Sequence, residues 1–341
     1  MMSNLFKKVA CFTDIHFGLK SNSRTHNEDC IDFVDWFIKT AKEEGCETAI
    51  FLGDWHHNRS TTDVSTMNYT VRALEKLNDA FDVVHVITGN HDQYYKDKRD
   101  LHSLEYGRLF SNINMVNHVF TEGGVTILPW LVSDEWKQIE KIDSRYIFGH
   151  FELPLFYMNA MVQMPDHGEL QTHHFKNQEF VFSGHFHKRQ CKDKIHYIGN
   201  SFPHNYADAW DDERGMMILE WGKQPKYINW LDCPKYRTVK LSRLIDEQAD
   251  IIKDKMYLRV TLDIDITFEE ANFIKETFMR QHNIRELSLI TEKEVFDVGH
   301  DDLSDVQFES VDQIVSEQIL ALESGTYNTN RLLEIYNNLH V

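Results

Sequence analysis

The chain has 341 residues, with 36 Lys and Arg against 54 Asp and Glu, for a formal net charge of −18. Its 42% apolar and 12% aromatic content fits a globular protein long enough for two domains, and no run approaches the roughly 18 uninterrupted apolar residues of a membrane span. The charge argues against stand-alone non-specific nucleic-acid binding, which depends on clustered cations, so any work on nucleic acid requires local basic patches, metal ions or a basic partner.

Near the N-terminus, Lys7 and Lys8 precede VACFTDIHFG, which Asp14 and His16 interrupt too early for a secretory leader; it reads as a first strand. Ile31, Val34, Phe37, Ile38 and Ala41 then fall on one face of a helix, and Val71, Leu74 and Leu77 suggest a second. Strand-like and helix-like stretches alternate from Val9 to about Leu219, the pattern of layered α/β structure. Later strands around 125–130 and 196–200 are short, which fits two packed sheets better than one. Segment 151–178 is rich in Met and His, either a substrate-facing loop or a connection packed by adaptable Met side chains.

A boundary is expected within residues 222–255. Beyond it, Met256, Leu258, Val260, Leu262 and Ile264 alternate as one strand face. Thr267 and Glu270 form a T-x-x-E capping box for a helix carrying Ala271, Ile274 and Phe278, and a strand follows around Leu287 and Leu289. Residues 297–341 hold nine acidic residues and one basic, Arg331. Val311, Ile314, Val315 and Ile319, then Leu332, Leu333, Ile335, Tyr336 and Leu339, have helical spacing suited either to docking on a partner or to packing on their own domain. The expected division is a domain over 1–222, a small α+β domain over 223–296 and an acidic linker with helical tail over 297–341. The five cysteines, Cys11, Cys30, Cys46, Cys191 and Cys233, never form C-x-x-C, which suggests neither a disulfide framework nor a thiolate zinc site and fits a reducing cytoplasm.

Five apolar runs, VACFT, TAIFL, VVHVIT, YIF and FVFS, each end in potential metal ligands: Asp14-Ile15-His16, Gly53-Asp54, Gly89-Asn90-His91-Asp92, Gly149-His150 and Gly184-His185-Phe186-His187. In an open α/β sheet, ligands gather at the carboxyl ends of strands, so five such ends converge on one crevice. Asp, Asn and His without Cys favour hard or borderline divalent cations. Asp14 and His16, two apart on an extended chain, are expected to point to the same side. Asp54 is suited to bridge two ions, and Asn90 offers a neutral oxygen. His150, His185 and His187 would complete the shells. Two cations about 3.5–4 Å apart suit in-line attack on phosphorus. His91 is a candidate proton donor to the leaving oxygen, with Asp92 fixing its tautomer.

In that order the motifs D-x-H, G-D, G-N-H-D, G-H and G-H-x-H resemble the calcineurin-like metallophosphoesterases over roughly residues 8–205. The resemblance implies a two-sheet sandwich flanked by helices. It also implies one ion held by Asp14, His16, Asp54 and His187, a second held by Asp54, Asn90, His150 and His185, and His91 as catalytic histidine. A narrower resemblance is to the nuclease subunit of the double-strand-break repair complex, in particular its tailed-phage form. His57, three residues after Asp54, stands where that subfamily carries a second active-site histidine; His56 lies beside it, and the spacing favours His57. A strand-helix-strand unit follows like its capping domain, and C-terminal helical segments match its ATPase-docking region.

That resemblance implies 3′-to-5′ exonuclease activity on duplex DNA and endonuclease activity on single strands, with two divalent ions, preferably Mn2+. It implies a coiled-coil ATPase partner and a homodimer within a heterotetramer, in the host cytoplasm if phage-encoded and without membrane attachment. No G-x-x-x-x-G-K-[ST] loop occurs, so ATP dependence must come from another subunit. In KDKRD, beside Tyr94 and Tyr95, Lys96, Lys98 and Arg99 are candidate phosphate contacts, with a solvated charged face as the alternative. Two other functions stay open: a phosphatase or phosphodiesterase for a small substrate, and a non-catalytic DNA-end adaptor of the ATPase.

Overall fold

The computed structural model describes residues 4–158, 162–291 and Arg331. The chain divides into two units, Met1–Glu292 and Lys293–Val341, and the geometry below belongs to the first. The expected tail over 297–341 lies outside the described residues, Arg331 apart.

Four strands, β1 (Lys8–Phe12), β2 (Thr48–Phe51), β3 (Val83–Ile87) and β4 (Ile113–Val116), run parallel in one sheet. The helices Arg24–Glu43 and Val64–Ala80 make the first two crossovers. The chain then builds a second sheet from β5 (Phe120–Glu122), β6 (Val125–Ile127), β7 (Tyr146–His150), β8 (Phe180–Gly184), β9 (Gln190–Lys192) and β10 (Ile195–Tyr197), in the order β5-β6-β7-β8-β10-β9. It returns as a hairpin, β11 (Gly215–Glu220) and β12 (Lys226–Asn229), whose first strand pairs antiparallel with β1. The first sheet therefore reads β12-β11-β1-β2-β3-β4.

The period-2 geometry of strands explains the layers. Val9 and Cys11 of β1 point into the space between the sheets, where they pack with Ile50, Leu52, Phe148, Phe182 and Met217. Ala10 and Phe12, one residue out of phase, face the helices and meet Phe33, Phe37, Ala49 and Phe51. Strands buried on both faces need continuous apolar runs, which is why the stretches ahead of the ligand clusters do not alternate. Burial of each such Phe or Leu contributes about 1.5–3 kcal/mol. The outer face of the second sheet is covered by Phe151, Leu153, Met164, Leu170 and Phe175, so much of the Met-rich segment is packing. In the second crossover helix, Leu74 and Leu77 are buried but Val71 faces solvent, and Thr66, Thr70 and Ala73 complete its inner face.

Residue 222, the expected end of the first domain, falls inside the β11–β12 turn. Hydrogen bonding carries the first sheet through Asn229, because the polar, alternating stretch after Glu220 still has a strand edge to pair with. A separate three-stranded parallel sheet follows, from β13 (Lys235–Lys240), β14 (Met256–Leu262) and β15 (Ile284–Thr291). The helix Phe268–Gln281 links its last two strands, opened by the reciprocal Thr267–Glu270 cap. Ile264 lies beyond the end of β14 and is exposed. Arg285 pairs with Asp29 and Lys255 with Asp32, both acids on the first crossover helix, and the Lys20 ammonium sits 3.7 Å from the Tyr257 ring centroid.

Candidate active site

The carboxyl ends of β1, β2, β3, β7 and β8 meet at one rim, and the loops leaving them are tightly wound. Asp14 (φ 50°), His16 (52°), Asp54 (62°) and His185 (86°) occupy the left-handed region, which L side chains rarely adopt. Such strain persists only where the surroundings enforce it, and it clusters at functional sites. The extended geometry expected between Asp14 and His16 is therefore corrected: the chain turns sharply at both, and that turn aims them inward. A Cβ at Gly89 would stand 2.2 Å from Asp54 Oδ1, and one at Gly184 2.1 Å from Thr13 Oγ1. Glycine at both positions is a packing requirement of these loops.

Asp54 is the hinge between two groups of candidate ligands. Its Oδ2 lies 3.7 Å from His16 Nε2 and 3.4 Å from His150 Nε2, while Oδ1 accepts the His91 backbone N–H at 2.9 Å. Burial pushes its carboxyl up, but the imidazoles of His150, His16 and His91 outweigh this and hold it well below the usual carboxylate range. On one side, Asp14, His16 and Asp54 bring donor atoms within 4.8 Å of one another, and the ring nitrogens of His16 have no hydrogen-bond partner among the described residues. His187 also lies here, its ring 5.3 Å from that of His16.

On the other side stand Asn90, His150 and His185. Asn90 Oδ1 is 3.0 Å from both His150 Nε2 and His185 Nδ1. His150 Nδ1–H donates to the Leu52 carbonyl at 2.7 Å, which turns Nε2 toward the crevice. His185 Nε2 is held by Glu152 at 3.1 Å, the carboxylate–histidine arrangement that orients metal-ligating imidazoles. Burial lowers His150, but Asp54 more than reverses this and raises it to about 9, so a cation at this candidate ligand would compete with a proton. Carboxylate, carboxamide and imidazole donors converging with partnerless ring nitrogens fit divalent cations.

His91 Nδ1–H donates to the His57 carbonyl at 2.7 Å, leaving Nε2 as the candidate nitrogen for proton transfer. The two rings stack at 5.4 Å, and the His91 ring lies 4.9 Å from that of His16. Of the neighbouring histidines, His57 therefore faces the site. His56 faces away, with Nδ1 on Ser103 Oγ at 2.7 Å and its pKa pushed down to about 3 by burial.

Two expectations are corrected. Asp92 does not touch the His91 ring: its carboxylate accepts the backbone N–H groups of Asp54, Trp55, His56 and Gly89 at 2.9–3.3 Å. It is the clasp between two ligand loops, and the His57 carbonyl sets the His91 tautomer. Burial first and Asp54 second push the Asp92 carboxyl up to about 7, against those donors. Arg99 is not free for phosphate, since its guanidinium pairs with Glu135 and donates to the carbonyls of Trp130 (2.8 Å) and Asn117 (3.2 Å). Lys96 and Lys98 are exposed, Lys98 beside the Tyr95 ring.

Three residues at the rim were not read from the sequence: Glu152, Trp130 and His204. Trp130 lies 5.0 Å from the His185 ring and walls a cavity of about 440 Å³ that Glu152, Trp136 and His167 also line. His204 packs 5.4 Å from both His16 and His187. A signal existed for it, because SFPHN follows the end of β10, and β10 runs parallel to β8. Glu152 and Trp130 carry no local pattern that would have singled them out.

Among the described residues no helix is long and apolar enough to cross a membrane. The chain is 25% identical over 352 residues, covering 98% of both chains, to "Exonuclease subunit 1" of Enterobacteria phage T4. Two solved structures resemble it more loosely. One is the Pseudomonas putida nuclease MPE (TM-score 0.30, 16% identity, 55% of this chain and 66% of that one). The other is a dimetal phosphatase from Danio rerio (TM-score 0.39, 12% identity, 63% and 92%). The model of the calcineurin-like phosphoesterase family matches residues 7–189, more than half the chain. With the sandwich, the strand-end ligands and this match, the chain belongs to the calcineurin-like phosphoesterases and is a metal-dependent phosphoesterase.

Proposed function

We propose that the chain is a two-metal DNA nuclease, acting 3′-to-5′ on duplex DNA and endonucleolytically on single strands, with Mn2+ as preferred ion. The ligand crevice would serve any phosphoester, so the substrate rests on one observation: the end-to-end likeness to the phage exonuclease subunit. That relative's designation as a subunit supports a partner here. We take the partner to be a coiled-coil ATPase in DNA recombination and repair, with two nuclease chains in a heterotetramer.

Divalent ions held by Asp14, His16, Asp54 and His187 on one side, and by Asp54, Asn90, His150 and His185 on the other, would polarise the phosphoryl group and acidify an attacking water. The protein's own part is orientation. Asp54 ties the two sides, Glu152 and the Leu52 carbonyl fix the imidazole tautomers, and His91, held at Nδ1, presents Nε2 to the leaving oxygen. His57 supports that carbonyl–imidazole contact and stacks on the His91 ring. Lys96 and Lys98 provide exposed cations for the DNA backbone.

A second reading, a phosphatase or phosphodiesterase for a small substrate, is favoured by the aromatic cavity beside His150, whose about 440 Å³ lies in the range of small-molecule sites. The test compares wild type and His91→Ala with Mn2+ on duplex DNA, single-stranded DNA and a chromogenic phosphomonoester. DNA cleavage that falls about 10²–10⁴-fold in the variant, with bound metal unchanged, is the expected result. Phosphomonoester turnover without DNA cleavage would favour the second reading, and undiminished DNA cleavage would remove His91 from its role.

A further inference from the structure

We propose that His204 is a further imidazole ligand of the first ion, which would then be held by His16, His187 and His204 together with Asp14 and Asp54. The proposal rests on the two-ion reading above and extends it to a residue outside the five strand-end motifs.

The segment is built into the crevice. Ser201 Oγ donates to the Thr13 carbonyl at 2.8 Å, tying the exit of the second sheet to the end of β1. The His204 backbone N–H donates to Asp208 Oδ2 at 2.9 Å, and the amide of Asn200 reaches the same oxygen at 3.3 Å. Asp208 in turn pairs with the buried Arg214 at 3.4 Å. The backbone is thus fixed by a buried polar network, and the ring has little freedom to turn away.

That ring is 1% exposed, yet neither of its nitrogens has a hydrogen-bond partner among the described residues. Buried polar groups are normally paired, and leaving one unpaired costs about 1–3 kcal/mol. Two of the rings packed around it are expected ligands: His16 and His187 each stand 5.4 Å away, centroid to centroid. One nitrogen from each of the three rings falls within 4.8 Å of the other two. A shared cation is the partner that would satisfy all three. On its far side His204 meets His26, whose Nε2 bonds the His16 carbonyl at 3.0 Å, and the ring of Phe202. Three imidazoles make this shell softer than the Asn-containing one, so it would retain Fe2+, Co2+ or Zn2+ over Mg2+.

The experiment uses the full chain stripped with chelator and titrated with Co2+, reading bound metal per chain and the visible Co2+ absorption. Wild type, His204→Phe, His204→Gln and Asp54→Asn are compared, with circular dichroism to establish folding. Wild type should bind two ions. The His204 variants should hold the first at least about tenfold more weakly, since losing even an outer partner of a ligand costs roughly 10–100-fold, and should show an altered Co2+ band. A folded His204→Phe or His204→Gln with wild-type affinity and band overturns the proposal while leaving the two-ion reading intact. A wild type that binds fewer than two ions, or an Asp54→Asn that binds as wild type does, overturns that reading itself.

Discussion

On the side of the crevice formed by Asn90, His150 and His185, the imidazole orientations are set by protein alone: Leu52 and Glu152 take up the outward nitrogens. On the side formed by Asp14, His16 and His187, with His204 behind them, two of the rings are buried without any hydrogen-bond partner among the described residues. On the first side Leu52 and Glu152 hold the imidazoles themselves, whereas on the second the hydrogen bonds of the described residues hold the backbone of His204 and the Asp14 carboxylate but neither the His16 nor the His204 ring. Similar residue types are thus oriented by different contacts on the two sides of the Asp54 carboxylate. The side that leaves donors unpaired gains more from the ion.

The largest expected effect falls on both sides at once. Asp92→Ala strands four buried amides that now donate to one carboxylate, at a cost of at least about 3 kcal/mol. Urea unfolding of the metal-free protein would register this as a lower midpoint. An unchanged midpoint would mean that the loops keep their shape without the clasp.

Glu152→Gln is narrower. It removes the charge that orients His185 and should weaken the ion beside Asn90 roughly 10–100-fold, leaving the His16 side as it was. Manganese titration followed by electron paramagnetic resonance separates these outcomes, and equal loss on both sides would dissolve the contrast.

The smallest effect comes from histidines remote from either side. Burial lowers His85 and His196 from 6.5 to about 4. Between those values the unfolded chain takes up protons that the folded chain refuses, so stability is lost as pH falls from 6.5 toward 4. Each ring contributes at most about 1.4 kcal/mol per pH unit. Metal-free protein should therefore unfold at lower urea at pH 5 than at pH 7, and the gap should narrow in His196→Gln. A gap between pH 5 and pH 7 that stays the same in His196→Gln would contradict the burial of that ring.

Much of this was legible because it is local. Apolar runs buried on both faces end in ligand residues, and the Thr267–Glu270 cap announces its helix. The spacing from Asp54 singled out His57, and the tertiary contacts of His56 with Ser103 and Tyr106 place His56 elsewhere. What local reading misassigned was direction. Asp92 follows His91 in the chain, yet its carboxylate serves the backbone of three loop residues near Asp54. Arg99 stands in a charge run but is drawn inward by Glu135, a partner 36 positions away. The β11–β12 hairpin extends the first sheet past residue 222 because strand pairing, not a change in composition, ends a sheet.

By itself, then, the sequence determined the chemistry available here: Asp, Asn and His at strand ends, suited to divalent ions and phosphoester cleavage, since residue type and strand position are properties of short segments. Only the tertiary structure decided how those groups are employed. It brought His204 and Glu152 to the rim from segments remote from the ligands they serve, bent the backbone at Asp14, His16, Asp54 and His185, and turned Asp92 from tautomer control to loop clasp. Those assignments depend on which buried donors face which acceptors across the fold, and no spacing along one chain encodes that pairing.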